Sequence, residues 1–372
     1  MIKSVLKYLI TILLLGAMLL FGQENHKTLE IGSHAPDFNL PGIDGKNYSL
    51  NSFSNAEILV IIFTANHCPT AQAYEDRMIE LVNTYKSKGV AVVGISSNSP
   101  EALRLDEMGY SDMGDTKEEM KIRVKNKGYN FPYLYDGDKQ EVAEKYGPQA
   151  TPHVFIFDKE RKLRYAGRID DSEKIQNVTI SDTRNALDAL LSGKKVPVEQ
   201  TKTFGCSLKW AYKKDSAREA VEKWNKEKVE LQLIGLKEIG DLLKNNTGNL
   251  RLVNIWATWC GPCAAEFPEL VEINRMYRNR EFEMITLSTD DSAIKEKVLK
   301  FLEKNYASTK NYQYSLDDKY KLIEAVDKDW PGALPYTLLI KPGGEIIYKK
   351  LGMIDAPELK KAIVGYLGRY YK

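Results

Sequence analysis

Cysteine is scarce in this chain: four among 372 residues, at positions 68, 206, 260 and 263. So few cannot staple a disulfide scaffold, so the fold must come from hydrophobic burial and each thiol present needs a reason. Histidine is as scarce, with 4, which narrows the ways of building a metal centre. A charge bias is also missing. Lys+Arg 53 against Asp+Glu 51 leaves a net charge of +2, so electrostatics points to neither nucleic acid nor anionic lipid as a partner. A run long enough to cross a membrane is lacking too. The apolar stretch Tyr8 to Phe21 is broken by Gly16 and preceded by Lys3 and Lys7. Residues 1–23 therefore read as a signal peptide or an uncleaved N-terminal anchor, and no cysteine follows to take a lipid. The expected location is extracytoplasmic, in a periplasm or cell envelope, where conditions are oxidising.

What is present centres on Cys260-Gly261-Pro262-Cys263, after Trp259 and the apolar run Leu252-Val253-Asn254-Ile255-Trp256. Two cysteines at this spacing close a small disulfide ring if a strand turns into a helix between them. The first then sits at the helix N-terminus, where unpaired N–H groups and the macrodipole favour a thiolate. A thiolate attacks disulfides, and a thiol three residues on expels the mixed-disulfide partner. Half of a zinc site and a structural bridge are the alternatives. Zinc takes four ligands, and Cys68 and Cys206 are single and distant in sequence, so redox chemistry is the expected role.

The chain also repeats itself. Ile58–Thr64 ahead of Cys68 matches Leu252–Ala257 ahead of Cys260, and a helical pattern follows each cysteine. Buried strands Val90–Ser96 and Phe282–Ser288 come next, with Ser96 and Ser288 at the same spacing from their cysteines. Later, Thr151-Pro152-His153 and Leu334-Pro335-Tyr336 each open an apolar strand, followed by a hairpin, a last strand and a helix. One crossover and one hairpin per half predict an α/β fold of two tandem domains, each a mixed sheet flanked by helices. The expected domains are 29–192 and 229–372, joined by a connector, 193–228, that carries Cys206 and a charged helix. The polar stretch Glu101 to Tyr129 reads as an inserted helical pair.

The second half, from Val229 on, resembles the thioredoxin superfamily. Val253–Cys263 with Glu266-Phe267-Pro268 is similar to the extracytoplasmic thiol-disulfide oxidoreductases that reduce apocytochrome c. The resemblance implies that Cys260 attacks and Cys263 resolves. It implies a cis-proline at Pro335 against the CxxC, with Leu334 pairing its backbone to substrate and Trp259 lining the groove. It gives Glu266 the handling of protons, because Asn254 stands where cytoplasmic thioredoxins keep a buried acid. Partners would be protein thiols or disulfides and a membrane or periplasmic electron donor, with no cofactor and no nucleic acid.

The first half resembles the redoxin group that includes peroxiredoxins, through Gly32–Leu40 and Gly42–Lys46. At the CxxC position stands Cys68-Pro69-Thr70-Ala71, without the second cysteine. Ile61 and Ala65 occupy the places of the peroxidase motif's proline and threonine, and Thr64 is one residue out of register. His67–Ala71 with the downstream Gly205-Cys206 run to Trp210 resembles a group of bacterial redoxin-domain proteins, in which Cys206 is a resolving partner for Cys68. Thr151 and Pro152 would form the groove. Three roles remain open for this half: thiol exchange through Cys68, a thiol peroxidase recharged by the second half, or a docking or metal module. The metal reading would use Cys68, His67, His153 and Cys206, since thiolate and imidazole suit copper; strand alternation equally turns His153 into the core.

Overall fold

The computed structural model describes residues 26–316 and 318–370; the candidate signal segment lies outside them. The first half opens with a hairpin of β1 (Asn39–Pro41) and β2 (Asn47–Ser49). Then come β3 (Ile58–Phe63), α1 (Pro69–Tyr85), β4 (Val90–Ser96), α2 (Lys117–Lys127) and β5 (Tyr133–Tyr135). The half ends with α3 (Glu141–Tyr146), β6 (His153–Phe157), β7 (Leu163–Gly167) and α4 (Asp182–Leu191). The sheet order is β5-β4-β3-β6-β7, with β3 parallel to β4 and antiparallel to β6. Every residue of β3 is buried, which is why its sequence is continuously apolar rather than alternating. Leu59, Ile61 and Phe63 face a layer with Tyr146, Phe155 and Phe157. Ile58, Val60 and Ile62 face Tyr74 and Met78 of α1 and Leu187 of α4.

The second half has the same plan. A connecting helix, α5 (Lys214–Asn225), leads to β8 (Gln232–Ile234), α6 (Leu236–Lys244), β9 (Leu250–Trp256) and α7 (Gly261–Tyr277). There follow β10 (Phe282–Ser288), α8 (Lys295–Lys304), β11 (Lys310–Tyr314), α9 (Lys319–Val326), β12 (Tyr336–Ile340), β13 (Ile346–Leu351) and α10 (Ala356–Leu367). The order β13-β12-β9-β10-β11-β8 again mixes parallel and antiparallel pairs. Both halves thus carry the mixed sheet with flanking helices that the sequence predicts. Three strands have no counterpart in that expectation: β5 and β11, which pair parallel beside β4 and β10, and β8, an added edge strand parallel to β11.

The stretch Glu101 to Tyr129 is not a helical pair. It holds one α-helix, α2, preceded by the 3-10 turns Pro100–Ala102 and Leu105–Met108. Gly109 and Gly114 disfavour helix here, and the polar groups of 111–115 bond elsewhere. Leu105 and Met108 pack against the core beneath α7 and α10, so this insertion is where the halves meet. Tyr277 Oη donates to the Ser111 carbonyl at 2.7 Å, and Arg280 donates to the Gly109 carbonyl at 2.9 Å. The connecting helix adds Trp224, which lies under the guanidinium groups of Arg275 and Arg278 at 5.6 and 5.4 Å. A cation over a tryptophan face contributes about 0.5–1 kcal/mol at partly exposed sites. Replacing Met108 with Asp puts a carboxylate against the apolar core at a cost of roughly 1–3 kcal/mol. Limited proteolysis should then cut within 100–116 at least about tenfold faster than in the parent; an unchanged rate would show that this contact does not hold the halves together.

Candidate functional site

Two strand-to-helix junctions present a cysteine in the same way. In the second half, the backbone leaves β9 and turns at Cys260, which keeps extended dihedrals (φ −85, ψ 103) and caps α7. Cys260 Sγ accepts the Cys263 N–H at 3.2 Å. The sulfur therefore meets one of the donors that the first helical turn cannot satisfy internally. Pro262, in that first turn, brings no further N–H to satisfy. Cys260 and Cys263 are joined as a disulfide with Cα atoms 5.3 Å apart. Cys263 is fully buried, whereas Cys260 is slightly exposed and Trp259 beside it is 64% exposed. Leu334 packs into the apolar cluster that contains both cysteines, and the Leu334–Pro335 peptide is cis.

Glu266 lies buried one turn beyond Cys263. Its Oε1 accepts from Asn254 Nδ2 at 3.0 Å and its Oε2 from the Ile354 N–H at 2.7 Å. Asn254 also donates to Thr337 Oγ1 at 2.9 Å. Burial pushes the carboxyl up; the Ile354 and Asn254 hydrogen bonds restrain that rise without cancelling it. A buried acid held above its ordinary range, on the helix that carries the disulfide, is placed to hold or release a proton. The loop ahead of Cys260 is fixed by Asp290, which accepts Thr258 N–H, Thr258 Oγ1 and Ser288 Oγ, each at 2.8 Å.

In the first half Cys68 caps α1 and its Sγ accepts the Ala71 N–H at 3.4 Å. Here the loop is fixed by Asp115. Its Oδ1 accepts the Asn66 and His67 N–H groups at 2.7 and 3.2 Å, while its Oδ2 meets His67 Nδ1 at 2.6 Å and Asn98 Nδ2 at 2.8 Å. Burial would lower the affinity of His67 for a proton, but the Asp115 carboxylate outweighs it and raises the imidazole pKa. Burial likewise pushes the Cys68 thiol up. The Cys206 thiol's hydrogen bond, the charge of His67, Thr151 and the Ala71 N–H together bring it down to about 6. The neighbouring side chains, Cys206 first and then His67, lower the thiol more than the helix-terminal Ala71 N–H does.

Cys206 reaches this site from the connector. Its carbonyl accepts the Thr151 N–H at 2.9 Å in an antiparallel bridge, and it packs against Ala65, Cys68 and Ala71. Gly205 permits the approach: it has φ +139, and a Cβ there would lie 2.1 Å from the Thr151 carbonyl oxygen. The Thr151–Pro152 peptide is cis, like its counterpart. Leu334, the counterpart of Thr151, has no such bridge among the described residues.

The structure thus brings Cys68, His67, Thr151, Pro152 and Cys206 together in one site, and Cys260, Cys263, Glu266, Leu334 and Pro335 in another. His153 is part of the core rather than of the site. Its Nδ1 accepts the Gln149 N–H at 3.1 Å, its ring lies 4.5 Å from that of Phe155, and burial drives its pKa down to about 3. It is a neutral core histidine. Among the described residues no group of three His, Cys, Asp or Glu side chains is placed to hold a metal ion, so the copper set of Cys68, His67, His153 and Cys206 is not assembled. Asp115, Asn98 and Asp290 were absent from the sequence-derived candidates. Asn98 and Asp290 hold the same spacing from their cysteines, the one signal that pointed to either; Asp115 sits in the insertion and left none.

Comparison with known proteins fits this duplication. Residues 31–166 match the AhpC/TSA family model and residues 240–363 the Redoxin model. The chain carries two thioredoxin-superfamily domains in tandem. Among curated proteins, the thiol-disulfide oxidoreductase ResA of Bacillus cereus is 30% identical over 125 residues, 34% of this chain and 65% of that protein. The chain thus spans just under two thirds of that relative. A Mycobacterium tuberculosis protein with a provisional peroxiredoxin name is 28% identical over 146 residues, 39% of this chain and 80% of its own. A solved hypothetical protein from Sinorhizobium meliloti 1021 is 36% identical, with TM-score 0.45 over 50% of this chain and 97% of that one.

Two outcomes follow from the geometry. Because the Glu266 carboxyl titrates above its ordinary range, it is protonated at low pH and becomes a base as pH rises. Glu266→Gln should therefore flatten the rise of the Cys263 resolving step with pH while the fold stays intact; an unchanged pH–rate profile would make Glu266 a structural acid. Gly205→Ala should push the connector off Thr151. Formation of a Cys68–Cys206 bond, followed by non-reducing peptide mapping, should slow about tenfold or more, as expected for a clash costing over about 1.4 kcal/mol. Unchanged formation would separate that bond from the Thr151 bridge.

Proposed function

We propose that the protein is an exported thiol-disulfide oxidoreductase that exchanges disulfides with protein clients through Cys260 and Cys263. The observation that carries this reading is the Cys260–Cys263 disulfide at the start of α7, beside exposed Trp259 and above buried Glu266. In the reducing direction Cys260 thiolate attacks a client disulfide, and the displaced client sulfur leaves as a thiolate. Cys263 gives its proton to Glu266, attacks Cys260 and releases the second client sulfur, which leaves Cys260–Cys263 oxidised. An electron donor in the membrane or periplasm returns the pair to the dithiol; the reverse sequence oxidises clients. The likeness to ResA supports the reaction class.

The first domain, 29–192, works in this reading through Cys68, with Cys206 of the connector 193–228 as its exchange partner. Support comes from the bridge that seats Cys206 beside Cys68 and from the lowered thiol pKa. The AhpC/TSA match and the thiolate at Cys68 favour a second reading, a thiol peroxidase recharged by the second domain. Consumption of a hydroperoxide by the reduced chain, lost in Cys68→Ser, separates the two.

The roles of the CxxC sulfurs are tested by trapping. Cys263→Ser should accumulate mixed disulfides with client proteins, because the attacking sulfur remains and the resolving one is gone. Cys260→Ser should trap almost none. Equal trapping by both variants would overturn the assignment.

A further inference from the structure

The site around Cys68 does not stand on its own domain alone. Two residues of the second domain reach the parts that hold it. Tyr277, at the end of α7, donates to the Ser111 carbonyl at 2.7 Å. Arg369, just after α10, forks onto Asp112 with contacts of 2.7 and 2.8 Å and reaches Gln72 Oε1 at 3.2 Å. Ser111 and Gln72 are each one bond from the loop ahead of Cys68, and Asp112 follows Ser111 in the chain. Gln72 Nε2 donates to the Asn66 carbonyl at 2.9 Å and the His67 carbonyl at 3.4 Å. Ser111 Oγ reaches the Asn66 carbonyl at 3.4 Å, and the Gly114 carbonyl accepts Asn66 Nδ2 at 3.0 Å. The same short segment ends in Asp115, which grips His67.

We propose that Tyr277 and Arg369 are positioning residues for Cys68: from the second domain they brace segment 111–115 and Gln72, which together fix His67 beside the thiol. The thiolate of the first domain is thus supported by docking of the second. Segment 111–115 belongs to no helix or strand, so its placement depends on what it touches. A forked arginine–carboxylate contact gives direction as well as attraction. The inference rests on the reading of Cys68 as a redox thiol, and its test reads thiolate formation rather than turnover.

The charged and titratable groups around Cys68 are His67 on its own loop, Asp115 from the insertion, and Cys206 and Lys209 from the connector. Glu173 also approaches, through its hydrogen bond from Thr70. The full chain is used in a Cys206→Ser background with Cys260–Cys263 oxidised, so that Cys68 is the remaining thiol and its ultraviolet thiolate absorbance titrates alone. Tyr277→Phe changes no charge, and Asp112→Asn removes a negative one. If bracing is the cause, both raise the Cys68 midpoint by about half a pH unit or more. Simple loss of a nearby negative charge would instead lower it in Asp112→Asn. Arg369→Ala should also raise it, and Arg369→Lys should recover part of the shift while thiol exchange by the second domain stays at the parental rate. A midpoint unchanged in Tyr277→Phe, or lowered in Asp112→Asn, overturns the bracing. With Cys206 in place, a Cys68 midpoint at the ordinary cysteine value, read from the pH dependence of alkylation of the Cys68 peptide, would remove the redox reading of Cys68 itself, and this inference with it.

Discussion

A buried carboxylate holds the loop in front of each cysteine, and the two sites depend on that grip. Asp290 takes the main chain and hydroxyl of Thr258; Asp115 takes the main chain of Asn66 and His67 and the imidazole as well. A strand buried on both faces must turn abruptly into a helix at these points, and the turn leaves N–H groups that the helix cannot use. Without a fixed acceptor the cysteine would not be presented at the helix N-terminus in one orientation. The carboxylates come from different places in the chain, the β10 end in one half and the insertion in the other. The constraint has persisted while the residue that meets it has moved.

From this shared frame the halves diverge in where the second sulfur comes from. In the second half it lies one turn into α7, so the disulfide is local. In the first half the turn offers Ala71, and the second sulfur arrives on a connector that bridges Thr151. The connector therefore covers Thr151 by a bridge that Leu334 lacks among the described residues. Acid–base support differs in step. Glu266 is an acid whose burial favours the protonated form, and its two N–H donors offset that only in part. His67 is paired with a carboxylate, which favours the charged imidazole and through it the thiolate.

The fold was legible in the sequence because its signals are local. β4, β10 and α4 fall where hydrophobic pattern places them, since strands covered on both faces are continuously apolar and helices keep their period. The Cys260–Cys263 pair was legible for the same reason, its residues lying within one turn of each other, while Leu334 and Pro335 came from the family resemblance. The rest of the first site was not. Asp115 acts across the fold on His67 from a stretch whose charge and scattered methionines imitate a solvated helical pair. His153 sits beside the cis-proline, where a ligand is plausible by position. Strand alternation turns its ring to Phe155 instead, and that direction follows from the register rather than from the motif.

The proposed function requires two separate dithiol couples on one repeated frame, Cys260 with Cys263 and Cys68 with Cys206. Equilibrating the full chain in glutathione buffers of graded potential, then mapping each cysteine peptide by mass spectrometry, tests it most directly. The account predicts two transitions, one joining Cys260 to Cys263 and one joining Cys68 to Cys206. A chain in which Cys68 and Cys206 never pair at any potential, or in which Cys68 pairs with Cys260 instead, would contradict it.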